Sequence, residues 1–591
     1  MTEIISNDIL FRAIVHGANL TSEKREDLNR INVFPVVDND TGTNLAHTMQ
    51  AILRNAAPAD NVRRTLQTIA RSALIGARGN SGAIFSQYFN GLYQGSPEKD
   101  HVTLSELAVN FQEAFNRAFH ALEKPVEGTV ITLMRAWAVS FREQLDERKS
   151  MRELFESSLD RIRKALDETT ETLEVLKKLH IVDAGALGFY YFMEGFVQVI
   201  LGKVSHVRTD YAAITPVIAE DIHRFGETAD IPFRYCTEVL LESDNLDEDA
   251  LRQDLKPLGD CLLISAGDNL YRIHLHTSQP WEVIRLAARR GKILENKADD
   301  MIQQNELASD RHKGIALVTD SIADLPREFV FQQGIFQFPI NVMIDDVSYA
   351  DKITVDGDFL NERLDKASTA QPNIEQILSL LQPILKQYDK VLILTVSAHM
   401  SGTHSRFAEA LNALDPTDRN RVALIDTKVN SGAEGLIVRE AARLIGLSQP
   451  FDEIVTALEA LRSRAKILVS VRDIEPMARS GRVSEKIGDL LIRLKFKPLV
   501  SIDPAGKGTI KGVAFSDAKN WKILLRSLRG KSVEEYALVH AGDPVRAERL
   551  REETVRLFGC EPAFITEISA AVTLFAGKGS VAVAYLEKAQ R

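Results

Sequence analysis

Apolar residues recur at helical spacing over most of residues 1–203. The stretch 5–20 mixes apolar and polar positions with that period, 45–55 restarts it, and it returns at 60–75, 83–94, 104–122, 129–145, 151–170 and 186–201. Most of these stripes read as core faces. From 204 to 312 the pattern changes: 234–240 and 270–276 alternate as strands do, and Pro280 marks the entry to a helix. A polar run, 303–313, reads as a linker. Beyond it, 315–321, 391–397 and 422–427 are short apolar strands that each run into polar residues, and Asp324-Leu325-Pro326 starts a helix after the first of them. The predicted fold class is multidomain, with an all-α region at 1–203, a small α+β region at 204–312 and an α/β region at 313–591. A parallel sheet of this last kind binds ligands beyond the carboxyl ends of its strands, where Ser321 and Ser401 fall.

The connections of the helical region carry the first chemistry. In residues 34–44, Asp38 and Asp40 lie two apart in a loop entered through Pro35, followed by Thr41, Gly42, Thr43 and Asn44. Such a loop can hold magnesium on hard oxygen ligands and leave positions for substrate phosphates; it also reads as a turn whose aspartates cap the next helix. Three glycine-containing segments, GARGNSG at 76–82, KPVEGT at 124–129 and VDAGALG at 182–188, each precede a helix. Glycine there lets backbone amides approach an anion, and the helix N-terminus favours negative charge. Each segment alone is an ordinary helix–helix turn. Four in one helical region favour a phosphate site.

Composition narrows the class. With 591 residues, 45% hydrophobic and 26% charged, the chain has the make-up of a globular protein of several domains. A net charge of -10 argues against bulk attraction to nucleic acid. Three cysteines, Cys236, Cys261 and Cys560, imply no disulfide framework and a reducing cytoplasm. No run is long and apolar enough to span a membrane, so no stable membrane insertion is expected.

In the middle region His274 and His276 share a strand face, and with Cys236 they form a candidate three-ligand zinc site; satisfied sheet residues are the alternative. In the last region, Ser401-Gly402-Thr403 with His399 and His404 nearby suggests a serine hydrolase, but no G-x-S-x-G elbow is present and such hydroxyls more often bind ligands or cap helices.

On these motifs residues 1–203 resemble the nucleotide-binding domain of dihydroxyacetone kinases, the DhaL type, and most closely that of bacterial fatty acid kinases. The resemblance implies an eight-helix barrel that binds ATP at one end. Asp38 and Asp40 would hold Mg2+ between the phosphates; Gly79, Asn80, Ser81 and Gly82 would contact the phosphates, with Thr41, Thr43, Asn44, Thr129, Asp183 and Gly185 on the nucleotide side. Asn39 stands in place of the usual glycine, and Ala186 and Leu187 depart from the last motif. The YCTE and HxHT motifs resemble the middle domain of fatty acid kinases, which implies zinc at Cys236, His274 and His276 and a role in homodimer contacts.

Residues 313–591 resemble the DegV family on VTDSIADLP at 318–326, Thr369-x-Gln371-Pro372, SGTHS at 401–405, IDTKVNSGAEG at 425–435, RSGRVS at 479–484 and Lys497-Pro498. That resemblance implies an apolar tunnel for a fatty acid ligand. Thr369 and Ser401 would contact its carboxylate, Ser321, Gly402 and Thr403 would line its head-group site, and Arg482 would either stabilise charge or form a structural salt bridge. Ala370 replaces the usual serine, and Phe575 stands where the family commonly has histidine. The combined expectation is a cytoplasmic fatty acid kinase that uses ATP and Mg2+, with transient contact to a membrane or an acyltransferase. Its rivals are a kinase for a small hydroxylated metabolite and a nonenzymatic lipid carrier or sensor.

Overall fold

The computed structural model describes residues 3–33, 40–122, 124–147, 149–204, 231–307, 313–479 and 496–589. They form two compact units, Met1–Ala308 and Ser309–Arg591.

The first unit opens with the expected helices: Asn7–Glu23, Thr41–Asn55, Val62–Gly76, Gly79–Gln94, Leu104–Ala121, Val130–Asp146, Met151–Thr172 and Ala184–Ile200. Each packs against the next of this series and the last returns to the first, so the helices close a ring. Their apolar stripes meet in a core of aromatic residues in edge-to-face contact, among them Phe85, Phe89, Phe111, Trp137, Phe141, Phe155 and Phe192. Several helices begin where polar side chains cap them, as at Asn61, Thr103 and Ser150. Two short helices, Arg25–Arg30 and Glu174–Leu179, and a strand pair, Ile4–Ser6 with His101–Thr103, have no signal in the periodicity because each is shorter than two helical turns.

The rest of this unit is a four-stranded antiparallel sheet with short helices at Glu248–Leu255, Met301–Leu307 and, as expected, Pro280–Ala288. In space its strands run Gly259–Gly267, Leu270–Thr277, Tyr235–Glu242 and Lys292–Asp300. Alternation gives it two unlike faces. Val239, Leu241, Ile273 and Leu275 are fully buried. The other strand parity carries Cys236 and Glu238 beside His276 and His274, and Glu238 opposite Lys297 on the far strand. Arg272 belongs to this polar set, and it reaches the helical ring through the backbone of Leu74 and Ile75. The sheet therefore docks on the helices with charged residues at the contact.

The second unit holds the predicted parallel sheet, with strands Val422–Asp426, Tyr388–Thr395, Lys313–Asp320 and Phe336–Phe338 in that spatial order. A six-stranded mixed sheet built mainly from the C-terminal part packs against it through the helix Ser431–Gly446, in a core that includes Leu392, Leu436, Ile437, Ala537 and Ala584. A small antiparallel sheet, Asn341–Ile344 between Val347–Ala350 and Ala367–Ala370, completes the unit. No helix among the described residues is long and apolar enough to cross a membrane.

Candidate functional site

The four motif segments of the helical region converge. The helix Thr41–Asn55 lies between two of them: a Cβ on Gly79 would sit 2.3 Å from the Asn44 amide, one on Gly82 would meet Thr48, and one on Gly188 would meet Leu45 at 2.5 Å. Gly185 in turn faces Val130, the first residue of the helix that Thr129 precedes. Gly79 itself adopts φ +56, a conformation that favours glycine. The motifs thus use glycine for close helix approach as well as for open backbone. Three of them also enter their helices earlier than the periodicity predicts, at Thr41, Gly79 and Ala184. Gly42, Gly79 and Gly185 are first-turn residues, whose amides lack intrahelical acceptors, whereas the Gly82 amide already donates to the Arg78 carbonyl.

Asp40 stands at the N-cap position of Thr41–Asn55, yet its side chain makes no capping hydrogen bond. The following residues are held from the neighbouring short helix and its exit: Thr41 donates to Asn32 Oδ1 at 2.9 Å, Asn29 Nδ2 donates to Thr43 Oγ1 at 3.0 Å, and the Thr43 amide donates to Asn29 Oδ1 at 3.0 Å. Asn29 and Asn32 thus hold the first turn of this helix. Asp38 and Asn39 lie outside the described residues, as do Arg482, most of the RSGRVS segment and the centre of the 303–313 linker. Thr129 Oγ1 donates to the Val126 carbonyl at 2.7 Å, and Asp183 Oδ2 accepts the Ala186 amide at 2.8 Å. Burial pushes the Asp183 carboxyl up to about 6, against the pull of backbone amides at Ala186, Val130 and Gly185.

The middle sheet reaches this region with its polar face. Cys236, His274 and His276 bring ligand atoms within 4.8 Å of one another, and His274 Nε2 is buried with no hydrogen-bond partner among the described residues. Cys236 Sγ lies 3.8 Å from His274 Nδ1, and a thiol gathered with two imidazoles, one of them with an orphaned nitrogen, is a donor set that fits a zinc-like cation. Each histidine also has a carboxylate at Nδ1: Glu238 at 3.6 Å from His274 and Asp260 at 3.4 Å from His276. Carboxylates in such positions orient metal-binding imidazoles. Burial raises the Cys236 thiol well above its usual range, with further upward push from Glu238, Asp299 and Asp40. The charge of Asp40 is therefore felt at the Cys–His cluster.

Glu238, the last residue of the YCTE motif but not singled out there as a site residue, ties these parts together. Its Oε1 accepts the Gly79 amide at 2.6 Å, while Oε2 lies 3.3 Å from Arg78 and 3.5 Å from Arg272. Arg272, fully buried, donates to the Leu74 and Ile75 carbonyls at 3.1 and 2.6 Å and pairs with Glu295, which also pairs with Arg78. The signal that could have found Glu238 is its strand parity with Cys236 and its register opposite His274.

In the second unit a cavity of about 460 Å³ is lined chiefly by apolar side chains, among them Ile340, Val396, Ile467, Val500, Val539 and Ala582. A larger outer cavity of about 990 Å³ adjoins it. Thr369, Ser401, Met400 and Phe575 line both, so two of the predicted hydroxyls stand at the neck between them. Ser401 Oγ is 2.8 Å from Thr403 Oγ1, and Gly402 leaves room for Gln371, whose amide a Cβ would overlap at 2.4 Å. Ser321 has a different place: fully buried, it donates to Asp351 at 2.6 Å, accepts the Ile340 amide at 3.0 Å, and is not among the residues lining either cavity. Asp351 belongs to a buried acidic group with Asp320, Asp324 and Glu434, faced by Lys352. His404 is held by Thr395 at 2.9 Å, and no serine–histidine pair of the hydrolase kind forms at Ser401 among the described contacts.

Three family models match the chain: the DAK2 domain over residues 35–198, the FakA-like middle domain of fatty acid kinase over 232–308, and the DegV family over 314–588. Among curated relatives, Protein YloV of Bacillus subtilis is 30% identical over 302 residues, covering 49% of this chain and 55% of that protein. An uncharacterised protein of Staphylococcus haemolyticus is 30% identical over 315 residues, covering 52% and 57%. The chain thus spans little more than half the length of these relatives. Among solved structures, a DegV family protein from Thermus thermophilus, described by its fatty acid binding, matches 46% of this chain and 99% of its own at 25% identity and a TM-score of 0.43. DegV from Bacillus subtilis, described as a fatty acid binding protein, matches 46% and 99% at 23% identity and a TM-score of 0.40.

Proposed function

We propose that this chain, which joins a DAK2 domain, a FakA-like middle domain and a DegV domain in one polypeptide, transfers the γ-phosphoryl of ATP to a fatty acid carboxylate and releases acyl phosphate and ADP. The observation that carries this reading is the pairing of two sites in one chain. One unit has converging glycine-containing helix entries beside Asp40; the other has an apolar cavity of about 460 Å³ whose neck bears the Thr369 and Ser401 hydroxyls.

The apolar cavity takes the acyl chain, and the hydroxyls of Thr369 and Ser401 donate to its carboxylate. Such an acid is ionised near pH 7, with a pKa near about 4, so the attacking oxygen needs no general base. Phe575 at the neck is apolar and leaves orientation to the hydroxyls. In the other unit the first-turn amides of Asn80 and Ser81 and the side chain of Asn44 face the nucleotide phosphates. Asp38 and Asp40 are the residues that would hold magnesium, which supplies neutralisation of phosphate charge when bound. Cys236, His274 and His276 would hold zinc. Rate comes mainly from positioning and charge stabilisation.

Incubation of the protein with ATP, magnesium, a fatty acid and hydroxylamine tests this. Acyl hydroxamate is expected; its absence across chain lengths overturns the reading, and phosphorylation of a small polyol instead would favour a metabolite kinase.

A further inference from the structure

The turn between the helices Val62–Gly76 and Gly79–Gln94 is held at both ends by one strand pair of the middle sheet. Before the turn, Arg272 donates to the Leu74 and Ile75 carbonyls. After it, Glu238 accepts the Gly79 amide at 2.6 Å. Each charge opposes the helix end that it meets, a cation at carbonyls and an anion at an amide, so both contacts are favourable. Arg78, within the turn, reaches Glu238 and Glu295. The same Glu238 oxygen that takes the Gly79 amide lies 3.6 Å from His274 Nδ1.

This arrangement places one carboxylate in competition. On one side it satisfies an amide at a helix N-terminus suited to a phosphate; on the other it faces an imidazole of the Cys–His cluster. Glu238 is buried, so its charge is weakly screened and its preferred partner depends on the charge nearby.

We propose that Glu238 is a positioning residue that couples the Gly79 turn to the Cys236–His274–His276 cluster, so that nucleotide phosphate at the turn and a divalent cation at the cluster strengthen each other's binding. The inference rests on the nucleotide and metal assignments proposed above. With a cation held at the cluster, the Glu238 carboxylate would lean toward His274 and hold the Gly79 amide less firmly, leaving that amide available to a phosphate oxygen. By linkage, nucleotide must tighten the cation by the same factor.

The test uses the full chain, stripped with a zinc-selective chelator, dialysed and resupplied with magnesium. Calorimetry measures MgADP affinity with and without one equivalent of zinc. Zinc is expected to tighten MgADP by about five-fold or more in the wild type, and by less than about two-fold in Glu238→Gln, with both proteins still binding zinc. Equal MgADP affinity with and without zinc in the wild type overturns the coupling while leaving nucleotide binding intact. Retention of the full zinc effect in Glu238→Gln overturns the role of Glu238. If the variant does not fold, the wild-type comparison and its reciprocal, zinc affinity with and without MgADP, decide alone. Failure of the wild type to bind MgADP under either condition overturns the underlying functional reading and this inference with it.

Discussion

Each unit gathers a group of carboxylates wholly or partly out of solvent, and the two groups meet opposite fates. In the first, Glu238 and Glu295 stand against Arg78 and Arg272, two charges of each sign. Burial pushes the Glu238 carboxyl up, but the neighbouring His274 imidazole and the adjacent guanidinium groups of Arg272 and Arg78 outweigh it and hold the group well below its usual range. In the second, Asp320, Asp324, Asp351 and Glu434 are all buried and face Lys352. Burial pushes Asp320 up to about 7 and Asp351 up to about 6, and raises Glu434 well above the carboxylate range. Burial acts alike on both groups. The partners decide whether a carboxylate keeps its charge or takes a proton.

Breaking the balanced group should have the largest effect. Arg272→Met leaves Glu238 and Glu295 with one guanidinium and uncaps the Leu74 and Ile75 carbonyls. A loss of about 3–5 kcal/mol is expected in denaturant unfolding of the first unit, as for other buried pairs that lose one member. A loss below about 1 kcal/mol would show that the network is not under electrostatic tension.

Removing the cation of the acidic group should cost less, because its carboxyls can protonate. Lys352 lies 3.0 Å from Asp324 and donates to the Ala323 carbonyl at 2.8 Å. Lys352→Met is expected to lose about 1–3 kcal/mol at pH 8 and less at pH 5. A cost that grows on acidification would contradict the protonation argument.

The cavity neck gives a smaller effect. Ser401→Ala and Thr369→Val each remove a hydroxyl at the junction of the two cavities. Each should weaken fatty acid binding by about 0.5–1.5 kcal/mol in an equilibrium assay, whereas unchanged affinity for both would move the head group elsewhere.

The smallest change, in mild acid near pH 4, is expected from Glu434→Gln. Neither Glu434 oxygen has a hydrogen-bond partner among the described residues, so the isostere loses no contact there. The raised acids set the sign: the folded unit binds protons that the unfolded chain releases above about pH 4, so stability falls as pH rises through the folded-state values. For Asp320 and Asp351 this decline runs from about pH 4 to about 7, and Glu434 extends it upward. Thermal melts of wild type and variant should coincide near pH 4, below which both the folded and unfolded Glu434 are protonated, and separate increasingly as pH rises to about 9, with the variant more stable. Parallel curves across that range would mean that Glu434 does not titrate there.

Much of this protein is legible in its residue order. The period of the apolar positions places the long helices, the alternation at 234–240 and 270–276 places two strands, and three apolar runs place strands of the parallel sheet. Those signals are local, since a helix or strand face is written into consecutive residues. The motifs at 38–44, 76–82, 124–129 and 182–188 are legible too, as glycine and oxygen chemistry. Three of their helices, at Thr41, Gly79 and Ala184, start earlier than the periodicity predicts because a first turn lacks the apolar repeat that marks the helix body.

Only the tertiary structure decides who meets whom. Nothing within the run around Glu238 marks it as the acceptor of the Gly79 amide, 159 positions away, or as the partner of Arg78 and Arg272. Likewise Ser321 and Ser401 look alike as hydroxyls after buried strands, yet one is tied to Asp351 and the other opens on a cavity. The sequence determined the elements and their chemistry because those depend on near neighbours. The partners of each charge and hydroxyl depend on contacts across the fold, and those partners set which carboxylates stay ionised and which residues face a ligand.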